Sequence, residues 1–237
     1  MSQKNHLKSE LRQRRKRQKN IQLLIIIGII VLVVIGFIWL IASQPKTNPI
    51  ASQPTQTAQT GQAAPTVAAM QFSSAPPMQI DTAKQYFATV KMVKGGEFVI
   101  QLYPDKAPIA VNSFVFLAQK GFFNGTTFHR VLEGFMAQGG DPTGSGMGGP
   151  GYSFVNEKND LAFDKAGVVA MANAGPDTNG SQFFIMFGPY GLSENDYTIF
   201  GQVISGMDVV NGLTRRDPQT NPTFTGDAIE SITITKK

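Results

Sequence analysis

The chain has 237 residues, 16% charged and 42% hydrophobic, enough for one domain of ordinary size with extensions or for two small ones. It has no Cys and only two His, His6 and His129, which excludes a disulfide scaffold, a zinc ribbon, an iron–sulfur centre, a Cys protease and a His-rich metal site. The net charge of +5 divides unevenly: residues 1–20 hold eight Lys/Arg and one acid, the remainder 13 Lys/Arg and 15 Asp/Glu, so the basic balance belongs to a tail and the bulk carries no charge signature for nucleic acid.

The tail, residues 1–20, ends in the cluster Arg12, Arg14, Arg15, Lys16, Arg17 and Lys19. Residues 21–42, IQLLIIIGIIVLVVIGFIWLIA, follow without a charge. As a helix they would span about 33 Å, against a hydrocarbon core of about 30 Å. A secretory signal has an apolar region of only ~7–15 residues. This run is longer and no clean A-x-A site follows it, so it reads as a transmembrane anchor. A cleaved, freely secreted form is the alternative, and N-terminal sequencing decides between them. The basic cluster predicts a cytoplasmic N-terminus, with everything after Ser43 outside and a single pass through the cell membrane. The lipid bilayer is then a partner through residues 21–42. Trp39, the only Trp, sits near the far end, either as an interfacial anchor or as lipid-facing bulk.

Residues 43–79 are rich in Gln, Pro, Ala, Thr and Ser, and Lys46 is their only charge. They show neither helical nor strand period and predict a flexible tether. Its root-mean-square span would be roughly 30–36 Å.

Residues 80–237 carry the globular pattern. Tyr86–Val93 and Glu97–Tyr103 alternate around Lys94-Gly95-Gly96, which is a hairpin signal. A helix is predicted over 105–120, with Asp105 as candidate cap, Pro108 in its first turn and Gly121 as its stop. Six more short apolar runs follow, at Thr127–Leu132, Phe135–Gln138, Val168–Ala172, Gln182–Phe187, Thr198–Ile204 and Ala228–Thr235, with a short helix at Met207–Leu213. Many short strands and two helices point to an all-β barrel or sandwich. Gly144-Ser145-Gly146-Met147-Gly148-Gly149 satisfies G-x-G-x-x-G, but Asp141-Pro142 before it and Pro150-Gly151 after it deny the strand and helix that dinucleotide binding requires.

Hydrolytic chemistry has little to build on. There is no G-x-S-x-G, and His129 is the only imidazole in the globular part. Flanked by apolar residues, His129 reads as a hydrogen-bonded core or barrel-rim side chain. Two segments stand out instead: Phe128-His129-Arg130-Val131-Leu132-Glu133-Gly134-Phe135-Met136-Ala137-Gln138-Gly139-Gly140-Asp141, and Ala170 to Ile185 with Asn173-Ala174-Gly175 and Thr178-Asn179-Gly180-Ser181-Gln182-Phe183-Phe184-Ile185. Each mixes large apolar residues with uncharged hydrogen-bonding groups, and together they contain a single Arg. Such a set holds an apolar group and places donors around a neutral amide.

At these residues the chain resembles the cyclophilin family of peptidyl-prolyl cis-trans isomerases, from about Phe87 to Ile234. The compact connection Lys120–Thr127 is similar to the family's bacterial-type branch. The resemblance implies a mainly β fold, a closed eight-stranded antiparallel barrel capped by two helices. It implies Arg130 as the catalytic residue. Phe135, Met136 and Phe184 would take the proline ring, Gln138, Ala172, Asn173 and Gln182 would bind the substrate backbone, and Tyr197 would stand at the pocket edge. Many members carry a Trp before a Leu at the rim. The segment Gly188–Asp196 has none: Leu192 is expected to line the rim, and Tyr190 or Gly191 competes for the Trp position. Cyclosporin is therefore expected as a partner of reduced affinity. Asn124-Gly125-Thr126 and Asn179-Gly180-Ser181 satisfy the glycosylation pattern by chance.

The expected activity is a folding assistant's: isomerisation of X-Pro bonds in unfolded or nascent polypeptides outside the membrane. No covalent bond is broken, so neither a metal nor a cofactor is called for. A tethered module that holds Pro-containing segments without turnover is the rival reading, and the intact Arg130 favours the enzyme.

Overall fold

A computed structural model of the chain describes residues 70–220 and 222–237. The basic tail, the apolar run 21–42 and the tether up to residue 69 lie outside the described residues. Among the described residues no helix is long and apolar enough to cross a membrane.

In chain order the elements are β1 (Tyr86–Met92), β2 (Glu97–Leu102), α1 (Pro108–Gln119), β3 (Thr127–Phe128), β4 (Arg130–Leu132), β5 (Met136–Gly139), β6 (Val168–Met171), β7 (Phe183–Met186), β8 (Ile199–Ser205), α2 (Met207–Asn211) and β9 (Asp227–Lys236). The strands form one sheet in the order β3-β9-β1-β2-β8-β6-β7-β5-β4, antiparallel at every pair. The two edge strands, β3 and β4, are neighbours in sequence with only His129 between them, so the sheet curls into a nearly closed barrel.

The count of nine corrects the eight strands expected. The run Thr127–Leu132 was one strand by pattern and is two by pairing, β3 on β9 and β4 on β5. At the break the His129 carbonyl accepts from the Arg216 guanidinium instead of a strand neighbour. Beyond it Val131 and Arg216 exchange backbone hydrogen bonds of 2.7 and 2.8 Å.

Strand β1 alternates buried and less buried residues, as a strand with one wet face should. Strands β6 and β7 are buried at every position. Val169, Met171, Phe183 and Ile185 point into the barrel with Phe98, Phe114, Phe128 and Phe200. Val168, Ala170, Phe184 and Met186 belong to a second cluster with Met136, Phe163 and Ile199. The unbroken run Phe183–Met186 thus serves the barrel core on one face and a separate apolar floor on the other.

Helix α1 starts at Pro108 with Ala107 as its cap residue, so Asp105 is not the cap. The free N–H groups of Ile109 and Ala110 instead donate to the two carboxylate oxygens of Glu157, each at 2.8 Å. A cap supplied from 47 residues away leaves no local signature. The stop is as expected: Gly121, at φ 69°, takes the left-handed turn. The Gly121 and Phe122 N–H groups then return to the Ala118 and Leu117 carbonyls.

Residues 70–79, which composition places in the tether, lie docked along α1. The Gln79 N–H donates to Asn112 Oδ1 at 2.8 Å, and Asn112 Nδ2 donates to the Pro77 carbonyl at 3.0 Å. Phe72 packs edge-on to Phe116, with ring centroids 5.0 Å apart. One aromatic ring and one buried amide hold a stretch whose average composition is that of a linker.

Candidate active site

Strand β4 places Arg130 opposite Gln138 of β5, and β5 places Gln138 opposite Phe184 of β7. Three adjacent strands therefore line up a cation, an amide and an aromatic ring. The second apolar cluster forms the floor, with Met136 and Phe184 at 1% and 4% exposure. A cavity of about 130 Å³ opens above it, lined by Arg130, Phe135, Met136, Gln138, Ala172, Asn173, Phe184, Leu192 and Tyr197. These are nine of the ten expected site residues. The tenth, Gln182, lines an adjoining groove of about 720 Å³ that shares Gln138, Ala172 and Asn173.

The rings around the pocket brace one another. Tyr197 meets Phe184 edge-on at 5.4 Å between centroids, and Phe163 stacks behind Phe184 at 5.9 Å. Phe163 lies in a loop, with no periodic pattern to mark it. At the rim, Leu192 lines the cavity and Tyr190 stacks outside Phe135, centroids 4.3 Å apart.

Polar groups converge on the same lip. The Arg130 guanidinium sits 5.7 Å from the Phe135 ring centre and donates to Gln138 Oε1 at 3.5 Å. Gln138 Nε2 donates to Gln182 Oε1 at 2.9 Å, and Gln182 Nε2 donates to the Gly146 and Gly148 carbonyls at 3.0 and 2.8 Å. Asn173 Nδ2 donates to the Asp196 carbonyl at 2.8 Å. Two uncharged amides thus tie the cation to the glycine-rich loop.

That loop is closed on Asp141, which is fully buried. Its carboxylate accepts from the Thr143 N–H and hydroxyl at 2.7 and 2.8 Å and from the Gly146 and Gly148 N–H groups at 2.5 and 3.1 Å. Burial pushes the Asp141 pKa up, and these donors outweigh it, leaving the carboxyl below its ordinary value. The glycines wrap a carboxylate, and the next element after them is strand β6, not a helix. At the start of the loop a Cβ on Gly140 would collide with the Ser181 carbonyl oxygen, while the Ser181 hydroxyl donates to the Gly140 carbonyl at 2.7 Å.

His129 lies behind this loop at 1% exposure, with Nε2 facing Gly146. The expected hydrogen bond is at best weak: among the described residues neither ring nitrogen has a partner of good geometry, the Thr127 backbone exerting the one hydrogen-bonding pull on the ring. Burial lowers its pKa, against the opposing pull of Asp141 and the Thr127 backbone. Asn179 is fully buried and bonds the Val155 carbonyl and Asn156 Oδ1, so it cannot accept a glycan.

A small apolar pocket on the outside of a nearly closed antiparallel barrel, lipped by one arginine and several amides, defines a binder of neutral peptide. Residues 87–235 match the model of the family described as cyclophilin type peptidyl-prolyl cis-trans isomerase/CLD. The chain is 47% identical over 133 residues to peptidyl-prolyl cis-trans isomerase-like 1 of Mus musculus, a match covering 54% of this chain and 80% of that one. It is 42% identical over 172 residues to peptidyl-prolyl cis-trans isomerase B of Streptomyces anulatus, covering 64% and 98%. A crystal structure of a Cryptosporidium parvum cyclophilin type isomerase superposes with TM-score 0.58 at 30% identity, over 65% of this chain and 99% of that one. A second, in the presence of the dipeptide Ala-Pro, gives 0.57 at 32%, over 64% and 99%. The chain belongs to the cyclophilin-type peptidyl-prolyl cis-trans isomerases. Its activity is accordingly the cis-trans isomerisation of X-Pro bonds.

Proposed function

We propose that this isomerase is anchored in the cell membrane by residues 21–42, its N-terminus cytoplasmic, and acts on X-Pro bonds of unfolded or nascent polypeptides outside. The anchor rests on an uncharged run of 22 residues directly after a tail with eight Lys/Arg. Protease added to intact cells (or spheroplasts) is expected to release the C-terminal domain by cutting the tether. Protection until the membrane is lysed reverses the topology.

The observation that carries the chemistry is Arg130 at the lip of the apolar pocket. The proline ring enters between Met136, Phe184, Phe135 and Leu192, while Gln138 and Asn173 hold the flanking backbone. Amide conjugation sets a barrier of about 18–20 kcal/mol. Twisting the bond breaks conjugation and leaves a lone pair on the proline nitrogen. A guanidinium that donates to that lone pair favours the twisted state over both planar ones, as catalysis requires.

Losing such a donor costs roughly 10²–10³ in rate. Exchange NMR on the full chain with Arg130→Ala is the test, and the expected result is that loss with the melting temperature kept. Arg130→Lys recovers little, because a point charge does not reproduce the planar fork. Near-normal exchange in folded Arg130→Ala moves the catalytic role elsewhere.

A further inference from the structure

We propose that Tyr190 extends the substrate groove past the proline pocket, as an aromatic platform that selects large apolar residues next to the proline. The proposal rests on the reading that the proline ring fills the pocket walled by Phe135 and Leu192.

The Tyr190 ring stacks on Phe135 at 4.3 Å between centroids and 29° between planes, yet 48% of the residue stays exposed. It does not itself line the pocket. A single exposed tyrosine on a surface is ordinary; a fixed one is not. The Tyr190 N–H donates to the Phe163 carbonyl at 3.0 Å, and the Leu192 N–H donates to the Tyr190 carbonyl at 2.9 Å. Phe163 in turn backs the pocket floor through Phe184. The Phe187 N–H donates to the Phe135 carbonyl at 3.0 Å, which ties the start of the same loop to the pocket wall. Floor, rim and outer ring thus form one hydrogen-bonded unit. The platform stands in place before a substrate arrives, so docking on it costs little ordering.

The groove has two unlike ends. On one, the pocket runs into the larger cleft through Gln138, Ala172 and Asn173, where the Gln182 amide is tied to the Gly146 and Gly148 carbonyls. On the other, the wall is Phe135 and then Tyr190. A chain with proline in the pocket and one arm along Gln138 and Asn173 carries its other arm out over Tyr190. An aromatic or leucine side chain there gains a stacked contact; glycine gains nothing. Aromatic pairs add a modest increment beyond area burial, which corresponds to roughly a three- to tenfold effect on affinity.

Four peptides test this, with Phe or Gly placed immediately before or immediately after the proline, assayed with the full chain and with Tyr190→Ala, Tyr190→Gln and Tyr190→Phe. For the Phe peptide of one side, Tyr190→Ala and Tyr190→Gln raise KM about three- to tenfold with kcat nearly kept. The matching Gly peptide responds less, and Tyr190→Phe resembles the unaltered chain. An equal loss on all four peptides would reduce Tyr190 to a structural brace, and no loss on either Phe peptide would remove the platform. Arg130→Ala on the Gly peptides tests the pocket reading separately. If that variant keeps its turnover, the fault lies with the pocket assignment and not with Tyr190.

Discussion

Arg130 Nη1 donates to Gln138 Oε1 at 3.5 Å across the β4–β5 pair, where the two residues stand in register. The contact is long, so the guanidinium keeps most of its donor capacity for a substrate. Gln138 is itself held from the far side by Gln182 at 2.9 Å, and Gln182 by two loop carbonyls. The orientation of the catalytic candidate is thereby referred back to the glycine-rich loop through two amides.

Removing the middle of this relay should loosen Arg130 without unfolding anything. A net hydrogen bond of this neutral-amide kind contributes about 0.5–1.5 kcal/mol. We expect Gln138→Ala to lower kcat by roughly threefold to tenfold and to raise KM as well, because the same amide flanks the pocket. Gln182→Ala should reproduce part of the kcat loss although it does not line the proline pocket. Steady-state assays of both variants check this, and a normal kcat in Gln182→Ala would break the relay.

The first hairpin was legible because β1 and β2 alternate, and α1 because Pro108 and Gly121 mark its two ends. The pocket residues were legible for a different reason: Phe135, Met136, Phe184 and Tyr197 sit in motifs that resemble a family. What could not be read is non-local. Glu157 caps α1 from a distant loop, Arg216 splits the strand at His129, and Phe163 backs Phe184 from a stretch without pattern. The docked segment 70–79 was hidden because composition averages over residues, whereas Phe72 and Asn112 act singly.

The rim makes a prediction about inhibition. Leu192 lines the pocket edge and Tyr190 lies outside Phe135, so no indole is present to receive cyclosporin. Inhibition is expected to be weaker than for relatives with a rim Trp, with peptide turnover retained. Leu192→Trp should tighten inhibition by about tenfold, the scale of one added buried aromatic contact. A side-by-side titration decides it, and equal potency with and without the substitution would sink the rim argument.

His129 predicts a pH dependence of stability. Burial holds its folded pKa below the ordinary 6.5, Arg216 and Arg130 add to the depression, and Asp141 and the Thr127 backbone oppose it. The unfolded chain therefore binds the extra proton first as pH falls, and folding becomes less favourable. The contribution is complete above about 6.5 and is lost as pH drops toward the folded value. Asp141 acts in a lower window, beginning near its ordinary 3.8, because its folded pKa is also depressed. We expect the melting temperature to fall as pH drops below about 6.5, and the slope to flatten in His129→Phe. A slope unchanged by that substitution would assign the effect to other groups.

The docked segment predicts a stability cost at a residue that composition assigns to the tether. Phe72 lies edge-on to Phe116 and 6.4 Å from Phe122, and its N–H donates to the Pro150 carbonyl at 2.8 Å. Gln71 Nε2 reaches the Gly149 carbonyl at 2.9 Å. A fully buried Phe→Ala change costs about 3–5 kcal/mol. Phe72 is half-buried, so Phe72→Ala should cost about 1–3 kcal/mol, at roughly 2–4 °C of melting temperature per kcal/mol. The backbone bond to Pro150 survives the substitution but loses its packing. Amide exchange should therefore quicken in residues 72–79 and in the loop near Gly149, and hardly at all in β6 or β7. Circular dichroism melts and site-resolved exchange measure the two effects. An unchanged melt with unchanged exchange would return residues 70–79 to the tether.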